Sequence, residues 1–289
     1  MSGLSKLGLG ASQFRFEVAT GARVRSPQAE IADILSIAVR SGLSVLDAAT
    51  PFPHAETMIR EGMPQPNAMR LSIRAARSDR GPDYVEAEAR ASLARLGVRK
   101  ADAIIVQSAG DLLGRHGPDL WDKLTDLKDQ GLFDKIGISA LASDDPVGIA
   151  RRFHPDILQA PASLLDQRLL ANGALTEVAG MGIEVHLRSI FLQGLLFLPP
   201  DRIPAPLKGA ASNLSRVRRI IAEGRSDPLQ AALSFAMSRR EASAVLVGVT
   251  TAAELSAIVA AASRPAPDLD WDSLALHDAD SLDQRWQAA

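Results

Sequence analysis

The sequence predicts an α/β protein, a (β/α)8 or TIM barrel, and three observations predict it. Short apolar runs alternate with amphipathic helical segments about eight times along the chain. Most of these runs are continuously apolar, as in parallel strands covered on both faces, rather than alternating. No Gly-x-Gly-x-x-Gly turn follows any of them, which argues against a doubly wound sheet. The nearest approach, Leu7-Gly8-Leu9-Gly10, opens no dinucleotide-binding helix. A chain of 289 residues suits one such barrel, a single domain over 1–289, and no Gly/Ser-rich linker or charge block divides it.

The predicted strands are Lys6–Leu9, Leu43–Leu46, Met69–Arg74, Ala103–Gln107, Lys135–Ser139, Ile157–Ala160, Ile183–Arg188 and Ala244–Val247. The first helix opens with Ser26 as N-cap and Pro27 at the first helical position. It lays Ile31, Ile34, Leu35 and Ala38 on one face and stops at Gly42. The second strand then delivers Asp47 to a turn carrying Phe52 and His54, with Glu56 beyond. Pro82 to Leu96 forms a helix that buries Val85, Ala89, Leu93 and Leu96. Asp227-Pro228 opens another, striped by Leu229, Ala232, Leu233, Ala236 and Met237. The connection from Leu196 to Asn213 carries Pro199, Pro200, Pro204 and Pro206, and reads equally as a lid or a stiffened surface loop. Thr251-Ala252-Ala253-Glu254 reads as a capping box at the start of the last barrel helix.

Composition narrows the function classes. Hydrophobic residues make up 46% and charged residues 23%, as in an ordinary globular protein. A net charge of −2 gives no electrostatic reason to expect nucleic acid or an anionic membrane. The absence of cysteine excludes disulfides, thiolate catalysis and Cys-ligated metals. His54, His116, His154, His186 and His277 show no metal-ligand spacing, so no metal is expected. Ser139 and Ser189 lack a Gly-x-Ser-x-Gly context, which leaves a hydrolase unsupported. No apolar stretch reaches the roughly 18–20 residues that span a bilayer, and MSGLSKLGLG has no signal-peptide pattern, so the expected location is cytoplasmic.

Chemistry in such a barrel sits at the C-terminal ends of the strands, which directs attention to Asp47, Phe52, Arg74, Gln107, Ser139, Gln159, Arg188 and Gly248. The stretch LSVLDAATPFPHAE, residues 43–56, resembles the second strand and following loop of the aldo-keto reductases. Further stretches resemble that family in the same order: LGLGASQF from Leu7, SLARLG from Ser92 with DAIIV from Asp102, IGIS from Ile136, SIFLQGLL from Ser189 and VLVGVT from Val245. The resemblance implies the barrel. It also implies hydride transfer from NADPH to a carbonyl carbon, with a tyrosine protonating the oxygen. In the family a lysine paired with an aspartate lowers that tyrosine's pKa, and a histidine orients the carbonyl.

Carried onto this chain, the aspartate falls on Asp47, the tyrosine on Phe52, the lysine on Arg74 and the histidine on Gln107. Three of the four depart from the family pattern. General acid catalysis typically contributes about 10²–10⁴-fold, and a phenyl ring contributes none. An arginine, with a pKa above about 12, does not shuttle protons at neutral pH. It can instead pair bidentately with Asp47. Gln107 reads either as a donor to an oxyanion or as a polar plug. His54 is the candidate substitute acid, with an unperturbed pKa near 6.5, although it reads as readily as an exposed loop residue, and Glu56 as a helix-start carboxylate. Tyr84, the only tyrosine, lies in a helical segment away from the strand ends.

For the cofactor, NADP or NAD, the resemblance assigns Ser139 and Gln159 to the nicotinamide carboxamide, with Ala140 where the family has asparagine. Arg188, preceding Ser189, replaces a stacking tyrosine, and its guanidinium plane can stack instead. Gly248 and Thr250 would meet phosphates at a helix N-terminus. Glu254 stands where a basic residue holds the 2′-phosphate, and Ala257 and Ile258 where a Glu-Asn pair meets adenine. NADPH binding is therefore expected to be weak, NADH less penalised, and a smaller anionic ligand is left open. Two readings follow. The favoured one is a family member without conventional carbonyl reduction that binds a small molecule or partner at the C-terminal barrel mouth. The alternative is an active NAD(P)H-dependent oxidoreductase using altered acid chemistry on a carbonyl or sugar-like substrate. Oligomeric state is left open.

Overall fold

The computed structural model describes residues 3–14, 28–48, 53–65, 67–199, 202–203, 210–276 and 282. The strands are β1 Leu7–Gly10, β2 Val45–Ala48, β3 Arg70–Arg74, β4 Ala101–Val106, β5 Phe133–Ser139, β6 Ile157–Pro161, β7 Glu184–Arg188 and β8 Ala242–Gly248. The helices are α1 Gln28–Arg40, α2 Pro53–Gly62, α3 Pro82–Leu96, α4 Ala109–Leu113, α5 Gly117–Asp129, α6 Pro146–Phe153, α7 Arg168–Ala171, α8 Ala174–Gly180, α9 Ala211–Glu223, α10 Pro228–Ser238 and α11 Ala252–Ala262. The eight strands close into a parallel barrel in chain order. Its seam is β1 on β8, in register from Leu7 on Val245 to Gly10 on Gly248.

Strand positions match the sequence reading more closely than strand limits do. β2 begins two residues later than the apolar run suggests, so Asp47 lies inside the strand rather than on a turn. The reason is pairing from both sides, with Gly10 opposite Asp47 and Asp47 opposite Ser72. Leu43 instead closes the α1–β2 turn, its N–H donating to Ala38 O at 3.0 Å. Gly42 supplies the left-handed residue there, at φ +74°. β4 and β5 start earlier than expected because Ala101 pairs with Phe133, across the charged positions Asp102 and Asp134.

Ile31, Ile34, Leu35 and Ala38 of α1 are all fully buried against the barrel. The proposed cap at Ser26 and Pro27 lies outside the described residues. In α3 the four predicted residues are buried. α10 is capped by Asp227, which accepts from the Gln230 N–H at 2.9 Å. Its burial is broader than the predicted stripe, because Ala231 and Phe235 face a second apolar cluster built with α9 and with Leu192, Leu195, Leu196 and Ile203. Leu229 and Met237 are in turn only partly buried.

The barrel interior is filled by matching large residues to missing ones. A Cβ on Gly8 would lie 2.7 Å from the Leu246 side chain, and one on Gly137 would lie 2.4 Å from Ile105. At the N-terminal end of the barrel the plug is ionic. Glu184 meets Lys135 at 2.7 Å, Arg70 at 3.3 Å and the buried His186 at 3.5 Å. The close approach of His186, with Lys135 and Arg70 beside it, holds the Glu184 carboxyl well below its ordinary range despite partial burial. Among the described residues, no helix is long and apolar enough to cross a membrane.

Candidate functional site

The opposite, C-terminal end of the barrel is floored by three side chains. Asp47 on β2 is only 3% exposed. Arg74, the last residue of β3, donates to it twice, Nε to Oδ1 at 3.2 Å and Nη2 to Oδ2 at 2.9 Å. Gln159 on β6 completes the set. Its Oε1 accepts from Arg74 Nη2 at 3.1 Å, and its Nε2 donates to Asp47 Oδ2 at 3.0 Å. Every pair in this triangle is satisfied, and it reaches from one side of the barrel to the other. The negative charge of Asp47 outweighs burial and raises the Arg74 guanidinium above its already high ordinary pKa. The group can hold charge and shape but cannot exchange protons near neutrality.

Above this floor opens a cavity of about 860 Å³, within the range of small-molecule sites. Asp47, Arg74, Gln107 and Arg188 line its polar side, with Ser12 and Gln13 from the turn after β1. The Gln107 Oε1 is buried and accepts no hydrogen bond. Arg188, ending β7, donates from Nη2 to Ala140 O at 3.0 Å and from Nη1 to Ser189 Oγ at 3.4 Å. Burial and, secondly, the nearby Arg74 charge bring its pKa down to about 10, so it remains cationic at neutral pH.

The apolar wall comes largely from the segment after β7. Phe191 and Phe197 line the cavity and meet edge to face at 5.5 Å between centroids. Backbone conformations here are unusual: Ser189, Leu192 and Gln193 all have positive φ, at 58°, 43° and 58°. Left-handed backbone in non-glycine residues is costly and persists where surroundings impose it. Arg218 of α9 anchors the backbone that follows, its guanidinium donating to Leu195 O, Leu196 O and Leu198 O. Much of the Pro-rich connection beyond, including Pro200, Pro204 and Pro206, lies outside the described residues.

The third wall is the start of α11. Thr251 caps the helix, accepting from the Glu254 N–H at 3.1 Å. The expected capping box is only half formed, because the Glu254 carboxylate reaches past Thr251 to the preceding residue. It accepts from the Thr250 N–H at 2.7 Å and from the Thr250 hydroxyl at 3.0 Å. A second carboxylate, Glu30 of α1, accepts from the Ala252 N–H at 2.5 Å. Two backbone donors at this helix end, where an external anion would ordinarily bind, thus already serve the protein's own carboxylates.

The predicted residues fall into two groups. Asp47, Arg74, Gln107, Arg188, Ser189, Gly248 and Thr250 all border the cavity, as do Glu254, Ala257 and Ile258. Ser139 and Gln159 are buried beneath it, 4% and 0% exposed, and do not line it. Phe52 lies outside the described residues, and so does His277. His54 is the second residue of α2 rather than a loop residue, because the helix begins at Pro53. It is exposed and does not border the cavity. Glu56 turns away altogether and is fully buried between helices, bonded to Ser92 and to Arg95. Tyr84 lies under the Arg80 guanidinium, 3.7 Å from ring centroid to carbon. Sequence reasoning assigned no site role to Ser12, Gln13, Phe191 or Phe197, and gave Leu229 only a place in the apolar stripe of α10. Ser12 and Gln13 carry the one available signal, their place directly after a strand end. Among the described residues, no group of three or more metal-ligating side chains gathers.

Fold and site together define a (β/α)8 barrel with a ligand-sized cavity over a polar floor. The chain belongs to the aldo/keto reductase family, whose model matches residues 6–279. Among solved structures, an aldo-keto reductase from Bacillus halodurans in its holo form is 17% identical, with TM-score 0.73 over 98% of this chain and 92% of that one. A Pseudomonas aeruginosa protein described as an aldo-keto reductase is also 17% identical, with TM-score 0.68 over 90% of each chain. At this identity the likeness is one of fold. No curated protein matches the chain.

Proposed function

We propose that this protein is a small-molecule-binding member of the aldo/keto reductase family that does not carry out conventional carbonyl reduction. The observation that carries the reading is the closed Asp47–Arg74–Gln159 triangle. It holds an arginine of fixed charge where the family has a proton-relaying lysine, and the residue at the family's tyrosine position in the sequence, Phe52, has no proton to offer. Nothing supports His54 as a replacement acid, since it is exposed on α2 away from the cavity.

The family's NADP or NAD fits this site poorly. Gln159 is fully buried beneath the cavity, its amide bonded to Asp47 and Arg74, so it is not presented to a carboxamide. The Thr250 and Ala252 N–H groups are committed to Glu254 and Glu30. A dinucleotide phosphate here would displace a carboxylate and then sit beside it, an unfavourable exchange. The cavity instead suits a smaller molecule at the C-terminal barrel mouth. Calorimetric titration with NADPH and NADH tests this directly. Weak or absent binding is expected, and saturable binding tighter than about 10 μM, some −7 kcal/mol, would sink the reading. Carbonyl-panel turnover by the wild type, set against Phe52→Tyr with Arg74→Lys, separates a replaced reductase centre from a working one. No wild-type turnover is expected, and robust wild-type turnover would overturn the reading; activity in the double variant requires that NADPH or NADH first be shown to bind.

A further inference from the structure

The charges around the cavity are balanced by the protein itself. Its lining holds two carboxylates, Asp47 and Glu254, against two guanidiniums, Arg74 and Arg188. Asp47 and Arg74 form a bidentate pair. Arg188 is bonded to Ala140 O and lies in the fields of Asp47 and Asp144, and Glu254 is turned to Thr250. An ionic ligand would shed its hydration here without finding a counter-charge of its own, a cost that a neutral ligand avoids.

Gln107, one residue beyond β4, borders the same space, and its Oε1 is buried and accepts no hydrogen bond. The buried amides of Gln159, Gln167 and Gln230 are by contrast all hydrogen-bonded. A buried acceptor left in the condition of Gln107 calls for a partner. The terminal torsion of a glutamine is soft and two-fold, so a small turn of the amide brings either Oε1 or Nε2 to the cavity face. A ligand with a donor beside an acceptor serves both orientations. Phe191, Phe197, Leu229 and Ile258 add an apolar border.

We infer that the ligand is a neutral cis-amide, such as a ring lactam, with an aromatic or other apolar body. Its N–H and C=O stand side by side on one edge and pair with Oε1 and Nε2 of Gln107, and its body packs on Phe191 and Phe197. The inference rests on the cavity being a small-molecule site rather than a dinucleotide site.

The test is calorimetric titration of the full chain with four probes: the lactam 3,4-dihydroquinolin-2(1H)-one, the lactone 3,4-dihydrocoumarin, indane-2-carboxylate and NADPH. The lactone has the same outline, with a ring oxygen in place of the N–H, and the carboxylate is an anion of similar size. Saturable binding of the lactam at about 1 mM or tighter is expected, with lactone and carboxylate each at least about tenfold weaker. Equal affinity for lactam and lactone overturns the pairing with Gln107. A carboxylate that binds as tightly as the lactam overturns the neutral class, and silence toward the lactam overturns the inference whole. Gln107→Leu, which keeps the volume and removes the amide, should weaken the lactam about tenfold and leave the lactone within about twofold. Should that variant fail to fold by circular dichroism, Gln107→Met carries the same expectation. Unchanged lactam affinity in whichever variant folds overturns the assignment. Silence of the lactam and of NADPH removes the amide inference alone. NADPH binding tighter than about 10 μM removes the small-molecule reading and this inference with it.

Discussion

At the residue scale, Arg74 is the side chain on which most depends. Asp47 is nearly sealed from solvent, so removing Arg74 leaves a buried carboxylate without its bidentate cation. Arg74→Met should therefore cost about 3 kcal/mol or more in urea unfolding, the range for breaking a buried ion pair. Arg74→Lys, which keeps the charge but not the bidentate geometry, should cost less. A loss within about 0.5 kcal/mol for the methionine variant would show the triangle to be peripheral to stability. The Asp47–Arg74 pair was legible in the sequence, because two residues at adjacent strand ends carry complementary charge and matching geometry. Gln159 was legible as a site residue but not as the third member of the pair. It stands 112 positions from Asp47, and only barrel closure brings it across.

At the scale of elements, the start of α11 shows what local patterns reveal and where they stop. Thr251 was readable as an N-cap, and Thr251→Ala should cost about 1 kcal/mol in chemical denaturation. The turn of Glu254 toward Thr250, and the arrival of Glu30 from α1, depend on tertiary packing that no four-residue pattern contains. These two carboxylates make a further prediction. Glu254→Lys combined with Glu30→Met removes both acceptors, frees both backbone donors and reverses the local charge. NADPH affinity should rise by about tenfold or more in fluorescence titration, and no rise would mean the misfit lies elsewhere in the cavity. The wall after β7 was less readable. Left-handed backbone at Ser189, Leu192 and Gln193 carries no glycine to announce it, and Arg218, which holds the following carbonyls, lies on a different helix.

At the scale of the whole molecule, the barrel was legible because eight parallel strands covered on both faces leave unbroken apolar runs. The exact strand limits were not, since a charged residue such as Asp47 or Asp102 can lie within a ladder whose neighbours pair around it. Interior packing sets one prediction. Gly137→Ala places a methyl within van der Waals overlap of Ile105 and should cost about 1–3 kcal/mol in thermal or urea unfolding. The ionic plug sets another. Glu184 is ionised far below its ordinary value of 4.5 in the folded chain. Its contribution is therefore fully present above that value and is lost as pH falls below it toward the folded pKa. Urea midpoints measured from pH 6 down to about pH 3 should fall more steeply for the wild type than for Glu184→Gln. Parallel slopes would show that the plug adds nothing.

The seam between β1 and β8 has a consequence for how the chain is made. Leu7 must wait for Val245, and Glu30 for Ala252, before either finds its partner. At typical synthesis rates of 5–20 residues per second, the first strand spends roughly 12–48 s on the ribosome with one edge unpaired. During that interval its apolar faces depend on β2 and α1 alone, and an open parallel edge is a surface on which nascent chains associate. The same closure that leaves the finished barrel without edges makes its first strand the last to be secured.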